Sequence, residues 1–527
     1  MSVQIKFCGA AGTVTGSCYW MRLKGCQFLV DCGLFQGTKT IKELNYSPFP
    51  FNPSEIEFVL LTHAHIDHSG LIPKLVKGGF KGPIYTTSAT HDLLSYMLPD
   101  SGYIQEFEVE QLNRRKRQRG QKPVSPIYNL RDAEASIHQI RNVSYNEWLR
   151  PNNEVQVRFW NAGHILGSAS IEVEIMDGES KLRLLFSGDI GPDHKLFHPD
   201  PHAPSNFDYV FCESTYGGRI RSDASIGSRR EILMKEINDA MKAGGALIIP
   251  SFAVERTQEL LLDIAYLIRH DLVPCSTVFL DSPLAIRITS VFAEHAPDLE
   301  NIPKDGFPFT HPGFKFTETS QESKAIARFS GGVIILAASG MCDAGRIRHH
   351  LKNHLWRPKS TVLLVGYQAE GTLGSLLEKG VKSVRIQGDA IEVRARIRKI
   401  DIYSGHADGE GLIQWLNARQ PIKNAVFLTH GSEKALEAMR EELLEQGFED
   451  KQVIIPSLDD EFELHAAGKY TRQQKAIRRL EPDVVEKLDW HNELAQLTLD
   501  IRSLLEQLPS DQQKTNLLKK LHNSLKS

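Results

Sequence analysis

Apolar and polar positions follow two different rhythms along this chain. In its first two hundred or so residues, short β-rich runs dominate: VQIKF at 3–7, QFLVDCG at 27–33, IEFVLLTH at 56–63, VQVRFWNAGH at 155–164, LRLLFSGD at 182–189 and DYVFCEST at 208–215. Such runs, bounded by turn residues, predict strands. Several end in a polar residue beside glycine, which places side chains at strand ends, where sheet enzymes keep their chemistry.

From about residue 217 helices and strands alternate. The segments at 228–244, 255–270 and 344–355 read as helices, and those at 245–251, 276–283, 331–339 and 360–367 as strands. That alternation predicts a separate parallel-sheet domain. Two more strand-ending segments follow, RKIDIYSGHADGEG at 398–411 and KNAVFLTHGSEKA at 423–435, again with histidine at the end. The first domain is therefore expected to resume there, after an insertion. Beyond 466 the pattern is helical: Val484, Leu488, Leu494, Leu497, Ile501, Leu504 and Leu508 recur at helix spacing, and Pro509 stops the run. Ser510 and Gln513 then offer a capping box for a second helix with Leu517, Leu518, Leu521 and Leu525. A packed helical pair is the plain reading, and a homodimer interface the sharper one.

The chain has 527 residues, 41% hydrophobic and 24% charged, enough for roughly three domains at about 150 residues each. Net charge of −3 carries no global basic signature, so a nucleic-acid partner must be met locally. Residues 114–122 offer one such place, with Arg114, Arg115, Lys116, Arg117, Arg119 and Lys122 in nine positions. A solvated helix end and a nucleic-acid contact are even alternatives for it. Seven cysteines without a CxxC pair indicate neither a disulfide framework nor a zinc knuckle. With no leader pattern at the N-terminus and no run of about 18 apolar residues, a soluble cytoplasmic protein without membrane partners is expected.

The densest chemistry is LLTHAHIDHSG at 60–70, with His63, His65, Asp67 and His68 in six positions. A solvated loop needs no such set, and a proton relay needs only one or two imidazoles. Imidazoles with carboxylates suit zinc. Four clustered ligands exceed the roughly three protein ligands of a catalytic zinc, so two ions and further ligands are implied. Asp31, His164, Asp189, Glu213, His406 and His430 each follow an apolar run near glycine and supply them. Taken singly, each is more often a hydrogen-bonded structural residue.

Together these motifs resemble the metallo-β-lactamase superfamily and, within it, the β-CASP nucleases, a group that includes the endonuclease subunit of the cleavage and polyadenylation factor and its bacterial homologues. The likeness extends to about residue 465 and includes PSFAVERTQELL (250–261), LDSPLA (280–285), ASGMCDAGRIRHHL (338–351) and LLVGYQAEGTLG (363–374). It implies an α/β fold: an αββα sandwich in two parts, 1–208 and 396–465, with a parallel α/β β-CASP domain inserted at 209–395 and a helical extension at 466–527. It assigns His63, His65 and His164 to one zinc and Asp67, His68 and His430 to a second, with Asp189 bridging and Asp31 orienting the histidine cluster. Glu213, His406 and His430 match the three motifs of the β-CASP branch.

The activity implied is a two-zinc ribonuclease that cleaves single-stranded RNA with metal-activated hydroxide. Asp67 orients the nucleophile and His406, paired to Glu213, is the acid for the leaving oxygen. Ser404, the amides around Gly340 and Gly405, and Arg346 are candidate phosphate contacts, with a structural ion pair the other reading of Arg346. His349 and His350, adjacent on a helix, do not share a face and are read as packing residues. Once a nuclease is supposed, the 114–122 cluster gains weight. The alternatives are a DNA nuclease of the Artemis type, a small-molecule hydrolase of the same superfamily, and a scaffold without activity. The first usually has valine where this chain has His430, the second has no task for Glu213 and His406, and the third would have lost ligands. Internal cleavage and 5′-to-3′ trimming both stay open.

Overall fold

A computed structural model describes residues 2–527 except 178–179, 222–224, 275–276, 303–311, 369–370, 467, 469, 474–477, 481–500, 502–503, 506 and 525–527. Two sheets lie face to face. One has eight strands, in the order Thr471–Arg472, Glu461–His465, Ser2–Phe7, Tyr19–Leu23, Cys26–Val30, Phe58–Leu60, Ile84–Thr87 and Ile140–Val143. The other has seven, in the order Val453–Ile454, Ile422–Thr429, Phe207–Glu213, Ser180–Phe186, Ala169–Asp177, Val155–Asn161 and Trp148–Leu149.

The period-2 pattern decides what lies between them. Val3, Ile5 and Phe7 from the first sheet meet Val157, Phe159, Val173 and Leu184 from the second in one buried cluster. Phe186, Phe211 and Phe427 stack through it, with ring centroids 4.4 and 5.1 Å apart. The run at 208–215 is apolar on both faces because both are covered. Tyr209 and Phe211 look into the sandwich, while Val210 and Cys212 pack outward against Leu412, Leu416 and Met439 of flanking helices. Helices bearing Ile72, Leu75, Leu93 and Leu94 cover the other outer face, completing the αββα order.

The inserted domain is a six-stranded, wholly parallel sheet, ordered Phe314–Phe316, Thr277–Leu280, Val333–Ala337, Leu247–Pro250, Thr361–Leu364 and Arg396–Lys399. Leu247 and Ile249 face helix residues Leu260 and Ile264, and Ile248 faces Leu351 and Leu355 on the opposite side. Sheet membership differs from the expected edges in two places. Phe207–Glu213 pairs within the lactamase sandwich, beyond the 208/209 edge. Arg396–Lys399, expected to reopen the first domain, pairs with Thr361–Leu364 instead and closes the inserted sheet. Neither strand announces its partner, because an apolar run records burial and not which sheet provides it.

The two domains meet along the helices Ser88–Gln118 and Pro283–Glu294. Ile288, Val291 and Phe292 join Leu93, Leu94 and Phe197 in one cluster, and His295 Nε2 lies 2.7 Å from Asp92 Oδ2. In the tail, the first expected helix, with Val484, Leu488, Leu494 and Leu497, lies outside the described residues. The second spans Asp511–Ser524 with Ser510 Oγ accepting from Gln513 N at 3.3 Å, but none of its described residues is buried. No helix among the described residues is long and apolar enough to cross a membrane.

Candidate metal centre

The strand Phe58–Leu60 runs directly into the His63 motif, where the chain turns into a one-turn helix, Ile66–Ser69. His65 caps that helix without a side-chain bond to it, so its ring stays available, and Asp67 and His68 ride on the turn. The remaining residues arrive from the second sheet and the loops beyond it. His164 follows Val155–Asn161, Asp189 follows Ser180–Phe186, Glu213 ends Phe207–Glu213, and His430 follows Ile422–Thr429. His406 is not at a strand end of the sandwich. It lies on the return loop between Arg396–Lys399 and the helix Gly409–Asn417.

Three ring nitrogens converge on one point. His65 Nδ1 is 3.2 Å from His63 Nε2 and 3.1 Å from His164 Nε2. Asp189 Oδ2 stands 3.5 Å from both His63 Nε2 and His164 Nε2. The other oxygen, Oδ1, faces a second group: it is 3.2 Å from His68 Nε2, which is 3.2 Å from His430 Nε2, and that in turn is 3.5 Å from Asp67 Oδ2. Asp189 thus sits between two triads, each compact enough to hold an ion.

The outward nitrogens are spoken for. His68 Nδ1 donates to Asp31 Oδ2 at 2.7 Å and His164 Nδ1 to the Gly405 carbonyl at 2.7 Å. His63 Nδ1 pairs with Thr62 Oγ1 at 3.0 Å, and His430 Nδ1 with Thr215 Oγ1 at 3.1 Å. Asp31 also accepts from Thr62 N at 2.9 Å and Ser17 Oγ at 3.0 Å. Gly405 has to be glycine here, since a Cβ would stand 2.9 Å from His164 Cε1.

This donor set fits a pair of divalent cations. With Nδ1 donating, His164 Nε2 can only present a lone pair toward its neighbours, and converging lone pairs repel unless a cation lies among them. Burial, reinforced by His68, holds His63 below the ordinary histidine range. Burial and His63 bring His65 down to about 3, and burial with His406 holds His164 far down. These rings are neutral, as ligands must be. Burial opposes ionisation of Asp189, but His430 and His68 outweigh it and keep the carboxyl well below its usual range. Burial also works against His68 and is outweighed by Asp189 and Asp31, which raise it. Asp189 Oδ1 is buried and, although His68 Nε2 stands 3.2 Å away, receives no hydrogen bond of good geometry, as expected of an acceptor where a cation belongs.

His406 stands at the edge of this cluster. Its Nδ1 is 3.0 and 3.2 Å from the two oxygens of Glu213, and its Nε2 is 3.9 Å from Asp189 Oδ2. Glu213 is itself fixed by the amides of Ile190 at 2.6 Å and Thr215 at 3.2 Å. His65, Asp67 and His406 are the partly open members of the cluster, the side chains of Asp67 and His406 being 20% and 19% exposed.

The expected substrate contacts are more scattered. Ser404 is buried and its Oγ accepts from His406 N at 3.2 Å. The Gly340 carbonyl accepts from Gln368 Nε2 at 3.1 Å. Arg346 is committed within the inserted domain: it lies 2.7 Å from Asp281 and donates to the carbonyls of Thr317 and Glu318. That is the structural ion pair, and His350 shares it, 2.6 Å from Asp281. Arg114, Arg115, Lys116 and Arg117 lie at the largely exposed C-terminal end of the helix Ser88–Gln118, with Arg114 paired to Glu110 at 2.6 Å. Sequence reading missed Thr62, Ser17, Thr215 and the Gly405 carbonyl. Thr62, Thr215 and Gly405 were marked only by lying next to or near His63, Glu213 and His406, and Ser17, 14 residues from Asp31, by nothing.

Three family models match in turn: the metallo-beta-lactamase superfamily over residues 11–251, the Beta-Casp domain over 257–377, and the Zn-dependent metallo-hydrolase RNA specificity domain over 390–456. Ribonuclease TTHA0252 of Thermus thermophilus is 36% identical over 448 residues, covering 84% of this chain and 96% of that protein. The chain belongs to the β-CASP family of the metallo-β-lactamase superfamily. Transcription termination factor FttA of Methanosarcina mazei is also similar, 30% identical over 446 residues, which span 82% of this chain and 67% of that protein. As a member of this family the chain is a metal-dependent nuclease.

Proposed function

We propose that this β-CASP nuclease is a ribonuclease hydrolysing phosphodiester bonds of single-stranded RNA, with two zinc ions at its centre. The supporting observation is the division of Asp189: one carboxylate oxygen toward His63 and His164, the other toward His68 without a hydrogen bond of good geometry. One ion would be held by His63, His65 and His164, a second by Asp67, His68 and His430, with Asp189 shared. When bound, such ions lower the pKa of water toward neutrality and offset charge on phosphate oxygens.

The chain's own groups do the rest. Asp67, on the open side, orients the attacking water. His406 presents Nε2 to the leaving oxygen because Glu213 accepts its Nδ1–H and fixes tautomer and ring plane. RNA is favoured over DNA by the RNA specificity model matched at 390–456, the stretch that supplies His406 and His430.

Incubating the protein with end-labelled and circular RNA, beside DNA of the same sequence, tests this reading. RNA should be cleaved in preference to DNA, and loss of circular RNA would establish internal cutting, since a circle has no end to trim. Comparable rates on both polymers would move the assignment to DNA. The basic helix end carries a second expectation. Replacing the six basic residues at 114–122 by serine should weaken RNA binding and flatten its salt dependence. At about 0.7 per phosphate contact on a single strand, the log–log slope should fall by roughly 2 to 4. An unchanged slope would make that segment ordinary solvated surface.

A further inference from the structure

Glu255 opens the helix Arg256–Arg269 of the inserted domain, yet its side chain makes no capping bond to it. Its backbone is left-handed, φ 69° and ψ −67°, and Arg256 N donates across it to Val254 O at 2.9 Å. This is the rare, strained form of the γ-turn. A residue other than glycine keeps such a conformation only when its surroundings over-determine it.

What holds it lies in the other domain. The carboxylate accepts from His198 Nε2, 2.9 Å from each oxygen, and from the amide of Leu166 at 3.1 Å, while Lys195 Nζ is 3.4 Å away. The side chains of Glu255, His198 and Lys195 are all within 5% of full burial. Two of these contacts act on the loop that carries His164: Leu166 is two residues along it, and the Lys195 ammonium donates to the His164 carbonyl. The same loop is braced from inside by Ser168 Oγ, which accepts from His164 N at 3.1 Å and Ile165 N at 3.2 Å. A buried ion pair gains little net stability, because desolvation offsets the attraction, and the strained turn costs more. An arrangement unfavourable on both counts accounts for placement better than for cohesion.

We propose that Glu255 is a positioning residue of the metal centre supplied by the inserted domain. Through Lys195 and the Leu166 amide it sets the His164 loop, so the inserted domain completes the His63/His65/His164 ion site as well as flanking it. This rests on the two-ion reading above.

The test uses the full chain and zinc affinities measured by competition with a chelating dye. Glu255→Gln and Lys195→Met should each weaken one of the two ions by about 10–100-fold, the usual cost of removing a group that orients a ligand. The other ion and the circular dichroism should be unchanged, and kcat on RNA should fall with KM unaltered and recover in excess zinc. Lys195→Met leaves the Glu255–His198 pair intact and decides the matter if Glu255→Gln does not fold. Asp92→Ala, which removes the His295 contact at the same domain boundary, should leave both affinities alone. Unchanged zinc affinity in Lys195→Met, or an equal loss in Asp92→Ala, would overturn the proposal. A wild-type chain binding fewer than two ions would instead overturn the two-ion reading, before any variant is compared.

Discussion

Asp189→Ala should empty both ion sites at once and abolish RNA cleavage. The expectation follows from its two oxygens: Oδ2 is 3.5 Å from His63 and His164, and Oδ1 is 3.2 Å from His68. No other carboxylate among the described residues is placed to serve both triads. Asp67 groups only with His68 and His430. Removing a shared anion also leaves five imidazoles facing one another without their central counter-charge. The ions contribute several kcal/mol of transition-state stabilisation, and each 1.36 kcal/mol is tenfold in rate, so activity should fall on the order of 10³-fold or more. Elemental analysis of the purified variant should find well under one zinc per chain, against about two for the parent. Asp189→Asn keeps the shape, loses the charge and should behave nearly as badly. Full occupancy of either site in Asp189→Ala would show that the carboxylate does not bridge.

The parts legible in the sequence were those written locally. His63, His65, Asp67 and His68 are neighbours in the chain, and the apolar run before them fixes where they emerge. Alternation also exposed the two architectures, because Val3, Ile5 and Phe7 bury one face whereas Leu247, Ile248 and Ile249 bury both. Partnership across the chain was not legible. Phe207–Glu213 and Arg396–Lys399 are good strands in either domain, and only their hydrogen-bonded neighbours decide which. The groups that aim the ligands were hidden for the same reason. Thr215 reaches a histidine 215 residues away and Glu255 an amide 89 residues away, and threonine or glutamate carries no pattern that announces such a task. Arg346 illustrates the converse: its charge drew notice, but Asp281, 65 residues distant, had already claimed it.

His406→Ala should keep both metals and still lose RNA cleavage by roughly 10²–10⁴-fold, the usual worth of a positioned acid. Metal retention is expected because His406 belongs to neither of the two proposed zinc triads. Its Nδ1 is occupied by Glu213 at 3.0 Å, and its Nε2 stands 3.9 Å from Asp189, farther out than the nitrogens of His63 and His164. One grouping of donor atoms does place His406 with Asp189 and Glu213, so the zinc count of the variant decides between a ligand and an acid. If it is an acid, its absence should matter least when the leaving oxygen needs no proton. The deficit on a p-nitrophenyl phosphodiester should therefore be far smaller than on RNA, because that oxygen departs as an anion. Glu213→Gln should lie between the parent and His406→Ala, since an amide can still accept from Nδ1 but no longer supports the charged ring. Equal deficits on the two substrates with both zincs in place would remove His406 from proton transfer and leave it a part in binding, readable as a rise in KM.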